Sequence, residues 1–330
     1  MNNNFDVSVI IPTKDRTVSL KRTLLSIYSQ TLLPKEIIIV ESNEVKLTKN
    51  EIPKPPNGLS IIIERTQPSV CKQRNIGIKK STGKYILLCD DDIEISKNYI
   101  FELANYLNKH IEVDIVSGII LEKNKDDQWT YHQNRISSLK LFFKFLFRLS
   151  VWSPVSKQMY PQWYLKSIVN YYIKLDNNIS KAGWPVVSNF ENKIITTRIY
   201  GLGISMIRSE KLEKTLFDPA FIHDGIGDNY DLALRINKSK KIHVLKSVEA
   251  KHYKEAINRM PNTNSFFYRC EALNYILHKP EHDFSSKNRS AFFWSMIGNT
   301  IYFLGSGNLQ MTKVSVKVLK NIIQNRYGLF

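Results

Sequence analysis

Residues 85–96 read YILLCDDDIEIS. An apolar run of the length of one buried strand empties directly into three carboxylates, Asp90, Asp91 and Asp92. Like charges packed this closely repel one another, and the plainest account of them is a solvated acidic turn. The flanking sequence argues for more. "VSVII" (7–11), "EIIIV" (36–40) and "SIIIE" (60–64) are further short β-rich runs, of the kind buried on both faces of a parallel sheet. Helical patterns fall between them: Leu20, Leu24, Ile27 and Thr31 ahead of Pro34, then "SVCKQRNIGIKKSTG" with Ser69 as cap and Gly83 as stop. After Ser96, Ile100, Leu103, Ala104 and Leu107 mark one face of another helix, and "VDIVSGII" returns to the sheet. This alternation predicts an α/β fold, a mostly parallel, doubly wound sheet with helices on both faces.

In such sheets ligands bind beyond the carboxyl ends of the strands. Thr13–Lys14–Asp15, Glu41 and Asp90–Asp92 all fall on that edge. Residues two apart in an extended strand share a face, so Asp90 and Asp92 are expected to converge while Asp91 turns away. Two converging carboxylates with phosphate oxygens form a hard-cation site suited to Mg²⁺ or Mn²⁺. A metal and a diphosphate would then cancel the repulsion.

The chain's 330 residues, 43% of them hydrophobic, suffice for one large domain or two medium ones. No apolar run approaches the roughly 18 residues of a spanning helix. "MNNNFDVSVII" has no basic region ahead of an apolar core, so no signal peptide is expected. Cys71, Cys89 and Cys270 make neither a disulfide framework nor a metal cluster, and the cytosol is the expected compartment. The formal net charge of +17 implies an anionic partner. Nucleic acid is not expected: there is no zinc-finger spacing, no aromatic strand pattern of the RNA-recognition type and no basic zipper. A nucleotidyltransferase would carry a Gly-rich basic loop after the first strand, and "PTKDRTVSL" has no glycine.

Taken in order, these motifs resemble the family 2 glycosyltransferases of GT-A fold. "VSVIIPTKDR" resembles their opening strand and nucleotide loop, and "LKRTLLSIYSQTLLPKEIIIVES" their next helix and second strand. "RNIGIKKSTGKYILLCDDD" resembles the approach to their DXD motif. "GLGISMIRSEKLEKTLFDPAF" with "GDNYDLALRI" is similar to the acceptor-side block, and "VEAKHYKEA" to the segment carrying a closing histidine. The resemblance covers residues 7–120 and 200–260. It implies that Pro12, Thr13, Asp15 and Glu41 line the nucleoside pocket, with Glu41 standing where the family usually has Asp. It further implies that Arg74 faces the diphosphate, that Asp90 and Asp91 contact the donor, and that Asp92, Asp90 and His252 hold Mn²⁺ or Mg²⁺. The implied activity is inverting transfer from a nucleotide-sugar, a UDP-sugar by the family's habit, to a hydroxyl of a glycan or lipid-linked acceptor. Such a step serves surface polysaccharide, lipopolysaccharide or capsule synthesis.

The family usually shows Glu-Asp before "LALR", the second acid taking the acceptor proton. Aligned without a gap, "GDNYDL" puts Asp228 first and Asn229 second, so Asp228 is the expected base after a one-residue shift, with Asp224 behind it. The same departure leaves open a second function, a GT-A module that binds nucleotide-sugar or glycan with little turnover. The expected division is a nucleotide-sugar half (1–125), an acceptor half (126–260) with an aromatic and basic insertion at 126–200, and a helical extension (261–330). Within the insertion, "SLKLFFKFLFRLSVW" spaces Lys140, Lys144 and Arg148 helically among apolar residues. That pattern suits either an anionic membrane surface, on the cytoplasmic face of an inner membrane, or a helix packed on the protein with its lysines in water. Trp152, Trp163, Tyr164 and Trp184 are candidates for stacking on acceptor sugars or for the core.

Overall fold

The computed structural model describes residues 5–328 apart from 125, 132–134, 223–224, 239 and 258. In chain order the strands are β1 (Val7–Thr13), β2 (Glu36–Glu41), β3 (Ser60–Arg65), β4 (Tyr85–Leu88), β5 (Ile93–Ile95), β6 (Ile115–Lys123), β7 (Trp129–Thr130), β8 (Val151–Trp152), β9 (Val186–Val187), β10 (Ile194–Thr197), β11 (Ser205–Arg208) and β12 (Ile242–His252). The helices are α1 (Thr17–Tyr28), α2 (Val70–Lys80), α3 (Tyr99–Lys109), α4 (Ser138–Leu146), α5 (Lys166–Leu175), α6 (Ser209–Lys214), α7 (Asp228–Asn237), α8 (Asn262–Ile276), α9 (Ser286–Gly305) and α10 (Leu309–Ile323).

The chain divides into two compact units. The first comprises Met1–Tyr131, Lys193–Thr196 and Tyr200–Arg259. Its sheet runs β10-β12-β6-β11-β4-β1-β2-β3, with β5 on β12 and β7 on β6. Strands β4, β1, β2 and β3 are mutually parallel, as the continuous apolar runs predict. Every residue of β1 and β2 is buried, so a β-branched side chain fits at each position whichever way it points. The parallel pattern is broken by β11, wedged antiparallel between β4 and β6, and by the short strands β5 and β7, which pair antiparallel with β12 and β6.

Two local expectations shift. Helix α1 closes at Tyr28, so Thr31 lies beyond it, its amide donating to the Lys97 carbonyl at 3.1 Å. Helix α2 begins after Ser69, whose hydroxyl accepts from the Lys72 amide, but stops at Lys80, short of Gly83. Gly83 is required for another reason: a Cβ there would lie 2.6 Å from the Ser8 amide of β1. Gly77 seats α2 on the sheet in the same way, since its Cβ would come within 2.3 Å of an Ile10 methyl. Gly77→Ala should therefore overpack this contact, costing about 1–3 kcal/mol and lowering Tm by about 3–10 °C in thermal unfolding.

The second unit comprises His132–Asn192, Thr197–Ile199 and Met260–Phe330. Leu141, Val151, Tyr160, Leu165, Val169 and Tyr172 form its core cluster around α4, α5 and the β8–β9 pair. Trp184 is buried and donates its indole N–H to Ser295, whereas Trp163 and Tyr164 are exposed. Among the described residues, no helix is long and apolar enough to cross a membrane.

Candidate active site

The carboxyl edge of the first unit gathers the expected residues, but the triple aspartate is arranged differently from the expectation. Strand β4 ends at Leu88 and Asp91–Asp92 form a turn, so the twofold alternation of an extended strand does not apply. Each carboxylate instead has its own cationic partner. Asp90 Oδ1 pairs with Arg74 at 2.7 Å, Asp91 Oδ1 with Arg16 at 3.2 Å, and Asp92 Oδ1 with His252 Nε2 at 3.3 Å. The repulsion posed by "DDD" is thus offset by the protein's own side chains.

Asp91 is the most embedded of the three. Its Oδ2 accepts from the Thr13 hydroxyl at 2.7 Å, and its carbonyl from Ser19 and Thr23, which ties the turn to β1 and α1. Burial pushes its carboxyl up to about 6, against Thr13 and Arg16. Burial also raises Asp92, but His252 and the Glu255 amide outweigh it and hold that carboxyl below its usual range. His252 is the mirror case: burial lowers it, and the hydrogen bonds it donates to Asp92 and Glu122 carry it to about 9.

Arg74 joins two ends of the site. Fully embedded in α2, it donates from Nη2 to Asp90 and from Nη1 to Asp228 (2.5 Å) and Asn229 (3.1 Å). Asp228 opens α7, where a carboxylate is favoured by the helix dipole. It is 3% exposed, with Oδ2 on Arg74 and Oδ1 on the Asn229 amide. Burial brings it up to about 6, Arg74 opposing. Asp224 lies outside the described residues. Asp231 is buried and bridges to Arg235 one turn on, a structural pairing within α7.

At the ends of β1 and β2, Asp15 adopts a left-handed backbone (φ 52°), its amide donating to the Asn43 side chain at 2.6 Å. Its carboxylate accepts from the Glu44 amide, and Pro12 pairs with Val40 in the sheet register. Glu41 is completely buried: Oε2 accepts from the Asn43 amide, while Oε1 has no hydrogen bond and lies 3.6 Å from Arg65 Nε. Gly203 abuts the other side of the site. Its carbonyl accepts from the Asp90 amide at 2.8 Å, and a Cβ there would sit 2.0 Å from Asp90 Oδ2. Gly203→Ala should push the half-exposed Asp90 carboxylate off Arg74 with little effect on Tm. Turnover should fall by about a hundredfold, the cost of misplacing a group by an ångström.

Three contributors escaped the sequence: Arg16 on Asp91, Glu122 on His252 (3.2 Å), and Gln73, which donates to the carbonyls of Thr13 and Val40. Glu122 is the next-to-last residue of β6, near the same sheet edge, so the rule that singles out Asp90 would also have found it. The side chains able to hold a divalent cation are Asp92 and His252, with Asp90 nearby. Among the described residues no three such groups gather into a complete ligand set. The pair offers a carboxylate oxygen and an imidazole, a donor set that fits a hard cation completing its shell with phosphate oxygens and water.

A mostly parallel sheet with carboxylates and an arginine at its carboxyl edge has the arrangement in which α/β proteins hold their ligands. Residues 8–171 match the model of glycosyl transferase family 2, and the chain belongs to that family. It is 31% identical over 115 residues to the uncharacterized glycosyltransferase YwdF of Bacillus subtilis, a match covering 34% of this chain and 43% of that one. It is 30% identical over 121 residues to the minor teichoic acid biosynthesis protein GgaB of the same organism, covering 34% of this chain and 13% of that protein. The chain thus spans less than half the length of either curated relative. Among solved structures it resembles GalNAc-T7 crystallised with UDP, GalNAc and Mn²⁺, at a TM-score of 0.53 and 15% identity over 100% of this chain and 59% of that one. That likeness is one of fold.

Proposed function

We propose that this chain transfers a sugar from a nucleotide-diphosphate donor, of the UDP type, to a hydroxyl of a glycan or lipid-linked acceptor in cell-surface polymer synthesis, inverting the anomeric centre. The observation that carries the proposal is the Arg74 bridge between Asp90 and Asp228, beside the Asp92–His252 pair. The kinship with a teichoic acid protein supports the choice of acceptor class.

In this proposal the buried Glu41 Oε1, which faces Arg65 at ion-pair distance but has no hydrogen bond, accepts an N–H of the nucleobase. Pro12, Thr13 and Asp15 shape the wall beside it. Asp92 and His252, with Asp90, hold Mn²⁺ or Mg²⁺, and the imidazole favours the transition metal. When bound, the cation stabilises negative charge on the leaving diphosphate as a Lewis acid. Arg74 fixes Asp90 toward the donor and adds positive charge behind it. Asp228, raised to about 6 and thus near a useful basicity, takes the acceptor proton as the new bond forms.

One observation favours a second function, binding of nucleotide-sugar or glycan without turnover. The Asp228 carboxylate is buried with both oxygens engaged, and the neighbouring Asn229 is an amide. Incubation with a panel of nucleotide-sugars, Mn²⁺ and glycan acceptors separates the two. Acceptor-dependent release of nucleoside diphosphate is expected; stabilisation by a nucleotide-sugar with no release from any donor would leave only the binding function.

A further inference from the structure

The excess of positive charge is not at the sheet edge. The second unit holds 17 Lys and Arg against 5 Asp and Glu, a net +12 of the chain's +17. Within that unit α4, α8 and α9 wall a pocket of about 270 Å³. Lys140, Lys144 and Arg269 line it, and among the described residues no acidic side chain does. The Lys144 ammonium donates to the Ser150 carbonyl. Burial beside Lys140 pulls it down to about 8, the effect of crowding cations without a counter-charge.

The rest of the lining is aromatic. Phe143 and Tyr302 lie 6.2 Å apart, Tyr302 and Phe303 5.6 Å, and Lys140 Nζ sits 5.5 Å from the Tyr302 ring. Trp294 fixes the two helices together, its indole N–H on the Leu146 carbonyl and its ring stacked on Phe147. The outer faces of these same helices expose Leu139 (78%), Leu304 (58%), Ile301, Phe142 and Leu146. A small soluble anion has no use for that aliphatic rim, and an apolar ligand has none for three cations that, among the described residues, share the pocket with no carboxylate. An amphiphile uses both.

We propose that this pocket binds the phosphate headgroup of an anionic membrane phospholipid, while the exposed side chains of α4 and α9 enter the acyl boundary. Partial insertion of an apolar helix face next to basic residues is a sufficient basis for reversible attachment to an anionic bilayer. This goes beyond the transfer reaction and stands or falls separately from it.

The full chain is tested by co-sedimentation with phosphatidylcholine vesicles, with and without phosphatidylglycerol. Binding is expected only to the anionic vesicles. A Lys or Arg near such a surface contributes about fivefold in affinity, so K140Q/K144Q/R269Q together should lose about a hundredfold. K287Q/K313Q/K320Q, an equal charge change on exposed sites of the same unit, should lose less than about tenfold. L139S/L304S keeps every charge and should also weaken binding severalfold. Equal losses by the two triple variants, or unchanged binding by L139S/L304S, would overturn the pocket. So would micromolar binding of glycerol 3-phosphate by the wild-type chain in the absence of vesicles, which would identify a soluble phosphate ester as the ligand.

Discussion

Asp92→Asn should abolish sugar transfer, with a loss of about 10³-fold or more, because in the proposed mechanism several kcal/mol of charge stabilisation on the departing diphosphate depend on a cation held by this carboxylate. Asn preserves the shape and the acceptor for the Glu255 amide at 3.2 Å, so the fold should survive. It removes the counter-charge facing His252 at 3.3 Å and Arg259 at 3.7 Å, so a small fall in Tm is expected in the free protein. Thermal scans supply the second readout. Wild type should gain stability with UDP and Mn²⁺, about 2.7 kcal/mol at a hundred times Kd, since the ligand binds only the folded state. The variant should lose the manganese-dependent part of that gain. A shift equal to that of wild type would remove Asp92 from the metal site.

Asp228→Asn should cut turnover by about 10²–10⁴-fold, the usual worth of a general base, with donor affinity little changed. The geometry makes this a demanding test, because Asp228 also neutralises Arg74 in the interior. Losing one partner of a buried pair costs about 3–5 kcal/mol, so Tm must be measured alongside, and rates compared well below it. Asn229→Asp is the informative companion. Its side chain already touches Arg74, at 3.1 Å, and it is less buried than Asp228. If Asp228 is the base, Asn229→Asp should change turnover only a few-fold. A large gain over wild type, with Asp228→Asn inert, would instead mean that the acceptor side lacks its base in the natural sequence.

The parallel core was legible because its signal is local: continuous apolar runs such as "VSVII" and "EIIIV" have no competing helical period. Their carboxyl ends fall on one edge, and Thr13, Glu41, Asp90 and Asp92 all lie there. The partnering of the three aspartates was not legible. It depends on a turn at Asp91–Asp92 and on cations that reach it from α1's approach, from α2 and from β12. Strand β11 escaped for a different reason. Four residues, "SMIR", carry no periodicity, and their neighbours in the sheet are fixed by long-range topology. The role of Gly83 was misassigned because helix termination and close backbone approach call for the same residue.

The position of β11 has a bearing on synthesis at the ribosome. When β6 is complete, β4 and β6 are not neighbours; the strand that fills the gap, β11, is encoded about 85 residues later, roughly 4–17 s at ordinary elongation rates. Through that interval β4 lacks one sheet neighbour and β6 lacks both β11 and β12, since β12 follows later still, leaving open edges made of "YILL" and "IVSGIILEK", apolar and prone to pair with other chains. A fragment ending before Ser205 would keep those edges permanently open and should aggregate, so shortening the protein to its apparent nucleotide-binding half would yield an unstable product. A chain that closes its sheet this late is expected to gain most from having those edges shielded during synthesis.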